Sequence, residues 1–516
     1  MVRIMKIRWM LLLLCPTFLW AQEVQWGFTL SSDNLFNPNL SLSMISRGDG
    51  SSYWVGHLEK RTMSYSQDHL GKLKLVRFDD SGNFLDSIFI SGNTMVRNME
   101  YRNGMNQGWF YFKDSLIVGN SSFSFPNQTG SVILSWNSSG NVQVWGSYGD
   151  TLADVTFANN GNAIGVAQYS FNGTQSLSEW DQNGNLIRQR SLPDMGFIHH
   201  IRTTPGGGLI INGSCLGPSF SLDTISIPSL PTYNNYILEL DASWQAVGMK
   251  WISDITCQVS HGLIAPGGNL IYAGSVLMNQ PQFDSLTYFG PNTSSEDFFL
   301  TSLDHQDWKF DWVQEVPSDT GFCRVSPGSV DPIGFDSLGN IYMVGQQSGK
   351  KAFWTPNDQT EPRGFSDILI LSYTSGGVFR WSMNLGSRSI DHGGNLIVNG
   401  VDDLLLCGII TDSLFLPNDT IPAGFNSTTV IRITPGNLGL EKTTRTPSIS
   451  FYPNPSRGLL EHDSPIPVPF KIIDTWGRMV LEDILVPGKR LDLRELPSGV
   501  YLLRTGSRTT RIILRN

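Results

Sequence analysis

The chain has 516 residues, of which 16% are charged, 40% hydrophobic and 11% aromatic, with 52 Gly and 27 Pro. So few charges exclude a long-helix protein, whose exposed faces need far more Glu, Lys and Arg, and the hydrophobic content excludes a disordered chain. The formal charge is −9, but the first 21 residues carry +3 and residues 441–516 carry +4, leaving 22–440 at −16; such a body repels phosphate backbones and anionic membrane, so nucleic acid is excluded as a partner.

In chain order, the first element is a secretory leader. Arg3, Lys6 and Arg8 precede the apolar run Trp9–Trp20 and then Ala21-Gln22. A run of about a dozen residues falls short of the ~20 that span a bilayer, so residues 1–21 are expected to engage the Sec machinery and be cleaved after Ala21. Cys15 sits between Leu14 and Pro16, without the small residues of a lipoprotein cleavage box. No later stretch reads as a transmembrane segment. The remaining cysteines, Cys215, Cys257, Cys323 and Cys407, lack the C-x-x-C spacing of a metal site and lie in apolar strand-like runs; an exported chain could oxidise them in three connectivities, and the plainer expectation is small buried hydrophobes.

From residue 22 a unit of about sixty residues recurs: strand, turn, strand ending near Gly, excursion, strand, tight turn, strand. Its second strand reads Leu209-Ile-Ile-Asn-Gly213, Leu270-Ile-Tyr-Ala-Gly274 and Ile341-Tyr-Met-Val-Gly345. Its third strand and turn read Leu75-Val-Arg-Phe-Asp-Asp-Ser-Gly-Asn83, Leu134-Ser-Trp-Asn-Ser-Ser-Gly-Asn141 and Leu177-Ser-Glu-Trp-Asp-Gln-Asn-Gly-Asn185. An Asp or Asn followed three residues later by Gly is hairpin chemistry, because the side chain caps a type I turn and Gly takes the left-handed position. These turns lack the alternating carboxylates of a calcium loop.

The fourth strand carries Trp145, Trp251, Trp312 and Trp381, with Ile88 and Arg190 in the matching place of two further units. A large ring recurring at one repeat position points to packing between units. The last unit has a third strand, Val430–Ile433, and the turn Thr434-Pro-Gly-Asn437, but no fourth strand after it; Val24-Gln-Trp26-Gly-Phe-Thr-Leu30 resembles that missing strand. A ring of four-stranded blades removes its edges by closing on itself, so the N-terminal strand is expected to complete the final blade. The reading is all-β: a seven-bladed β-propeller over 22–437. The short unit at 151–194 and the long one at 317–387 leave six or eight blades open.

Residues 438–448 read as a linker, and from 449 the strands shorten and Arg becomes common. In order come Tyr452-Pro453-Asn454-Pro455 with Gly458, then Asp474-Thr-Trp-Gly477-Arg478, then Leu496-Pro-Ser-Gly499-Val500-Tyr501, and last the basic strand Arg511–Arg515. Alternating strands and tight turns over 449–516 predict a small Ig-like β-sandwich. The motif order resembles the type A sorting domain of the type IX secretion system. The resemblance implies a Gram-negative cell, export to the periplasm, recognition of this domain by the outer-membrane translocon, and a secreted or cell-surface destination. It carries the sorting pattern onto Pro453, Asn454, Pro455, Gly458, Asp474, Gly477, Arg478, Gly499, Val500, Tyr501, Arg511 and Arg515.

For chemistry in the body, His200 and His261 stand out because they fall in first strands, which line a propeller's channel. Each sits in apolar surroundings, and a satisfied core histidine is the plainer reading. No His-Glu-x-x-His, Gly-x-Ser-x-Gly or phosphate-cradling loop occurs. No catalytic residue, metal ligand or cofactor is assigned. Two functions fit: a binding module whose face and loops, such as 278–296 and 346–366, contact an extracellular glycan, peptide or protein; or an exported polysaccharide- or peptide-degrading enzyme working at the channel.

Overall fold

In the computed structural model, residues 22–435 and 451–515 are described, with the longer gaps at 31–42, 47–50, 169–174, 289–295, 316–320, 326–329, 463–467 and 475–477 and a few shorter ones. The leader and the linker lie outside the described residues, as do Gly477 and Asn516. Among the described residues the regular elements are all strands. The chain divides into two compact units, one of 1–351 with 361–436 and one of 352–360 with 437–516.

The first unit is a β-propeller. Three consecutive four-stranded antiparallel sheets, beginning at Leu152–Phe157, Phe197–Thr203 and Ser260–Ile264, follow sequence order. Their middle strands are buried on both faces, as in Leu270–Leu277, since each face packs on a neighbouring sheet. Their last strands alternate, as in Leu186–Leu192, with one face toward solvent. In the sheet ending at Phe379–Leu385 the first strand is broken, so that Gly321–Arg324 and Ile333–Phe335 both pair with Ile341–Gly349.

Two sheets differ from a one-unit pattern. Residues 44–148 form a single seven-stranded sheet, because Phe84–Arg102 runs through as one long strand. Its N-terminal half pairs with Asp68–Asp79 and its C-terminal half with Met105–Val118, and the register shifts between Gly92 and Asn93. The other sheet closes the ring. Gln22–Leu30 pairs antiparallel with Ser427–Pro435, setting Trp26 opposite Arg432 and Phe28 opposite Val430. The expected N-terminal closure is therefore present. Trp26 and Phe28 then pack against Phe78 of the following sheet, with ring centroids 5.9 and 5.1 Å away.

The Asp-x-x-Gly turns are built as the sequence suggests. Asp79 Oδ1 accepts the backbone N–H groups of Ser81 and Asn83 at 2.9 and 2.8 Å, and Asp181 repeats this with Asn183 and Asn185 at 2.9 and 2.8 Å. Gly82 takes a φ of +77°, and a Cβ there would lie 2.8 Å from the Trp26 indole, so conformation and space both demand glycine. The turn after Asp241 departs from the pattern: Trp244 holds the left-handed position with a φ of 65°, its ring buried beneath the Arg188 guanidinium 3.8 Å from the ring centroid.

In the second unit, Ala352–Thr355 and Asp358–Thr360 pair as a short hairpin, and residues 451–515 form two antiparallel sheets over one core. One orders Phe451–Tyr452, Leu459–His462 and Leu491–Asp492; the other orders Met479–Leu485, Val468–Ile473, Gly499–Thr505 and Arg508–Leu514. Leu460, Phe470, Ile472, Leu503 and Ile512 fill the space between them.

Candidate functional site

First strands of neighbouring sheets touch around the propeller's ring, including His392–Gly400 against Met44–Ser46. Three of them place a polar residue at one register. His200 faces Asn212, His261 faces Ala273 and Asn395 faces Cys407, in each case the residue before the glycine of the second strand. His200 and His261 do come together, with ring centroids 4.8 Å apart and both rings buried.

Their environments differ. His200 Nδ1 lies 2.7 Å from Asp154 Oδ2, and that carboxylate also accepts the backbone N–H groups of Val155 at 2.9 Å and Ile201 at 2.7 Å. Neither ring nitrogen of His261 has a hydrogen-bond partner among the described residues. Burial first, and then the charges of His200 and Arg202, hold the His261 imidazole well below its ordinary range. His199, one residue before, is pushed down to about 4 by burial and by His200, while its nitrogens meet Ser260 Oγ at 2.8 Å and Ser214 Oγ at 3.0 Å. The histidine contributed by His392–Gly400 behaves alike: burial and Arg324 push His392 down to about 3. At neutral pH these three rings are uncharged.

Deeper along the same strands lies a charge cluster that sequence reasoning misses. Arg202 Nη1 donates to Glu100 Oε1 at 2.5 Å, and its other nitrogen is bonded to Asp331. Glu100 also accepts from Thr156 Oγ1 at 2.9 Å and meets Arg102 Nη2 at 2.9 Å. Burial works against the Glu100 carboxylate, yet Arg202 and Arg102 outweigh it and keep its pKa below the ordinary value. Arg202 thus bridges parts of the ring far apart in the chain, with Glu100 supplied from the strand Phe84–Arg102 and Asp331 from just before Ile333–Phe335. Buried charges persist only when paired in this way. The sequence offers one weak sign of it, a charge two residues beyond a histidine in the apolar run Phe197-Ile-His-His-Ile-Arg202.

Chemically, Arg202 is committed to Glu100 and Asp331, and Glu100 to Arg202, Arg102 and Thr156. Buried polar atoms in this region without a hydrogen-bond partner among the described residues include the ring nitrogens of His261 and His392, the amide groups of Asn212 and Asn395, and Asn98 Oδ1. No group of three or more His, Cys, Asp or Glu that could hold a metal ion occurs among the described residues. None of the four body cysteines forms a disulfide among the described residues; Cys257, Cys323 and Cys407 are buried and Cys215 half-buried.

In the second unit Asn454 and Gly499–Tyr501 meet the last strand, while Gly458 and Asp474 make contacts elsewhere in the unit. Asn454 Nδ2 donates to the Arg511 carbonyl at 2.7 Å and its Oδ1 accepts the Ile513 N–H at 2.9 Å, flanked by Pro453 and Pro455, which both follow cis peptide bonds. Ser456 N donates to the Ile513 carbonyl and Arg515 N to the Ser456 carbonyl, each at 2.9 Å. Gly458, with φ at +93°, lies against the Arg494 backbone, where a Cβ would come within 2.8 Å. Asp474 Oδ1 accepts the Arg478 N–H at 2.9 Å and its Oδ2 takes the Arg478 Nε–H at 2.8 Å. Gly499, Val500 and Tyr501 pair with Leu514, Ile513 and Ile512, and Tyr501 Oη donates to the Pro497 carbonyl at 2.8 Å. The side chains of Arg511 and Arg515 are exposed.

Residues 450–515 match the family model of the secretion system C-terminal sorting domain. This sorting domain is the type IX kind, and it sends the chain across the outer membrane to the cell surface or the medium. No curated protein matches the chain. Among solved structures, the Dos1 propeller is 10% identical, with 81% of this chain and 96% of that chain covered at a TM-score of 0.37. A Glu150Gln mutant of the Synechocystis apocarotenoid oxygenase is 15% identical, covering 79% and 93% at 0.39. The exo-β-1,3-galactanase of Phanerochaete chrysosporium is 13% identical, covering 81% and 97% at 0.32. No helix among the described residues is long and apolar enough to cross a membrane.

Proposed function

We propose that the protein is a non-catalytic binding module, a seven-bladed propeller presented at the cell surface or released after its sorting domain has engaged the outer-membrane translocon. The leader 1–21 supplies entry to the periplasm through the Sec machinery, and 438–448 links body to address. Seven blades follow if the long sheet of 44–148 is divided at the register shift after Gly92, which yields two four-stranded halves sharing the strand Phe84–Arg102.

One observation carries the binding reading. The ionisable groups of the first strands are engaged with one another: Glu100 and Asp331 on Arg202, and Asp154 against His200 Nδ1 at 2.7 Å. A general acid must hold a proton near neutral pH, and Glu100 is held ionised instead. Ligand contact then falls to the loops around the ring.

The competing reading, an exported polysaccharide- or peptide-degrading enzyme, draws on His261, whose ring nitrogens lack partners among the described residues. A screen of the mature chain against polysaccharides and peptides separates the two. The binding reading expects ligand capture without turnover, unchanged in Glu100→Gln and His261→Ala. Hydrolysis of any captured substrate, abolished by either substitution, would overturn it.

A further inference from the structure

We propose that segments 363–365 and 386–390 of the propeller, with Phe415 at the end of the short strand Ser413–Phe415, form a binding site for acidic polysaccharide, a glycan bearing carboxylate or sulfate groups. The proposal rests on the binding-module reading and gives it a place and a ligand class.

The segments meet because their backbones are tied. Phe365 N donates to the Ser389 carbonyl at 2.9 Å, Phe415 N to the Gly386 carbonyl at 3.1 Å, and Asp391 N to the Ser366 carbonyl at 2.9 Å. Beneath them Asp391 accepts from Ser387 Oγ and from the Thr411 N–H, each at 2.9 Å, and Asp367 accepts the Arg363 N–H at 3.0 Å. The surface is therefore fixed before any ligand arrives, which lowers the ordering cost of binding.

On this base stand two exposed arginines over one ring. The guanidinium carbons of Arg363 and Arg388 lie 5.9 and 5.4 Å from the Phe415 ring centroid. Neither makes a salt bridge to a carboxylate among the described residues; the nearby Asp367 carboxylate acts on Arg363 from its backbone side, and both guanidinium forks are left to meet an anion. In a body of net negative charge this pair is a local exception, and the fork of a guanidinium matches a carboxylate or sulfate. Beside it Phe365 is 74% exposed and Ile390 42% exposed, an apolar surface suited to the flat face of a sugar ring.

An acidic peptide fits less well. Peptides are commonly held by pairing with open backbone groups, and here the N–H groups of Phe365, Ser366 and Phe415 are already spent on Ser389 and Gly386.

The test is titration calorimetry on the mature chain, 22–516, with four probes: polygalacturonate for carboxylate, chondroitin sulfate for sulfate, uncharged laminarin, and polyglutamate. The proposal expects binding to one or both acidic glycans, weakening as salt rises, with little or none to laminarin or polyglutamate. The double variant Arg363→Gln/Arg388→Gln should bind ~100-fold more weakly, ~10-fold for each lost fork. Phe365→Ala should weaken binding without altering its salt dependence. Arg363→Lys/Arg388→Lys, which keeps charge but loses the fork, should fall between, and an unchanged melting midpoint shows that each variant folds. Failure of the unaltered chain to bind either acidic glycan, equal binding to polyglutamate, or equal affinity in the double glutamine variant would overturn the site. A ligand captured elsewhere on the propeller would then leave the binding-module reading standing, whereas turnover lost in Glu100→Gln sinks that reading separately.

Discussion

Arg202 shows how a single side chain can be worth more than its surroundings suggest. It holds the buried Glu100 and the partly exposed Asp331, and removing it leaves the Glu100 carboxylate in the interior with only the more exposed Arg102 as a charged partner. Breaking a buried ion pair costs about 3–5 kcal/mol, while an exposed pair contributes about 0–1 kcal/mol. Urea unfolding should therefore separate Arg202→Met, destabilised by about 3 kcal/mol or more, from Arg490→Met, which loses only the exposed pair with Glu461 and should shift by about 0.5 kcal/mol or less. Equal shifts would mean that the Arg202 cluster is not a structural pairing. Turn residues were legible in the sequence because their chemistry is local: Asp79 and Gly82 act within five residues. The Arg202 cluster was not, because its partners come together only once the ring is closed and nothing in the spacing of Glu100, Arg202 and Asp331 announces it. Trp244 escaped for a related reason, since Arg188 from another sheet rewards a ring in a turn position that local rules give to glycine.

At the scale of the element, the strand Gln22–Leu30 decides whether the ring has an edge. Without it Ser427–Pro435 presents an unpaired row of N–H and C=O groups, a template for pairing with another chain. Trp26 is buried against Phe28 and Phe78, and its Nε1–H donates to the Asp80 carbonyl at 3.1 Å, so it fastens the last sheet to the next. Trp26→Ala should destabilise the propeller by about 3–5 kcal/mol in urea titration, the usual cost of removing a buried Trp. It should also raise aggregation at concentrations where the unaltered chain stays monodisperse in light scattering; a loss near zero would contradict closure through this strand. The position of the closing strand could be read from Trp26 alone, because it recurs at repeat spacing. Two other features could not. The strand Phe84–Arg102 continues through Gly92 and Asn93 without a break that sequence punctuation marks, and the broken first strand at Gly321–Arg324 and Ile333–Phe335 is hidden in a long unit.

For the whole molecule, the sorting motifs were legible because their residues are held to fixed offsets by contacts within one small sandwich. Asn454 clamps the final strand, Asp474 closes on Arg478, and Tyr501 caps the turn at Pro497. The propeller's ligand was not legible, because a binding face is assembled from loops far apart in the chain, as Arg363, Arg388 and Phe415 are. The account separates a closed cargo from the address that delivers it. Its most direct test is fractionation of cells expressing the full chain beside a truncation ending at residue 448. The full chain should reach the surface or the medium, and the truncation should remain folded and protease-resistant in the periplasm; a truncation that reaches the surface as efficiently as the full chain would contradict the division.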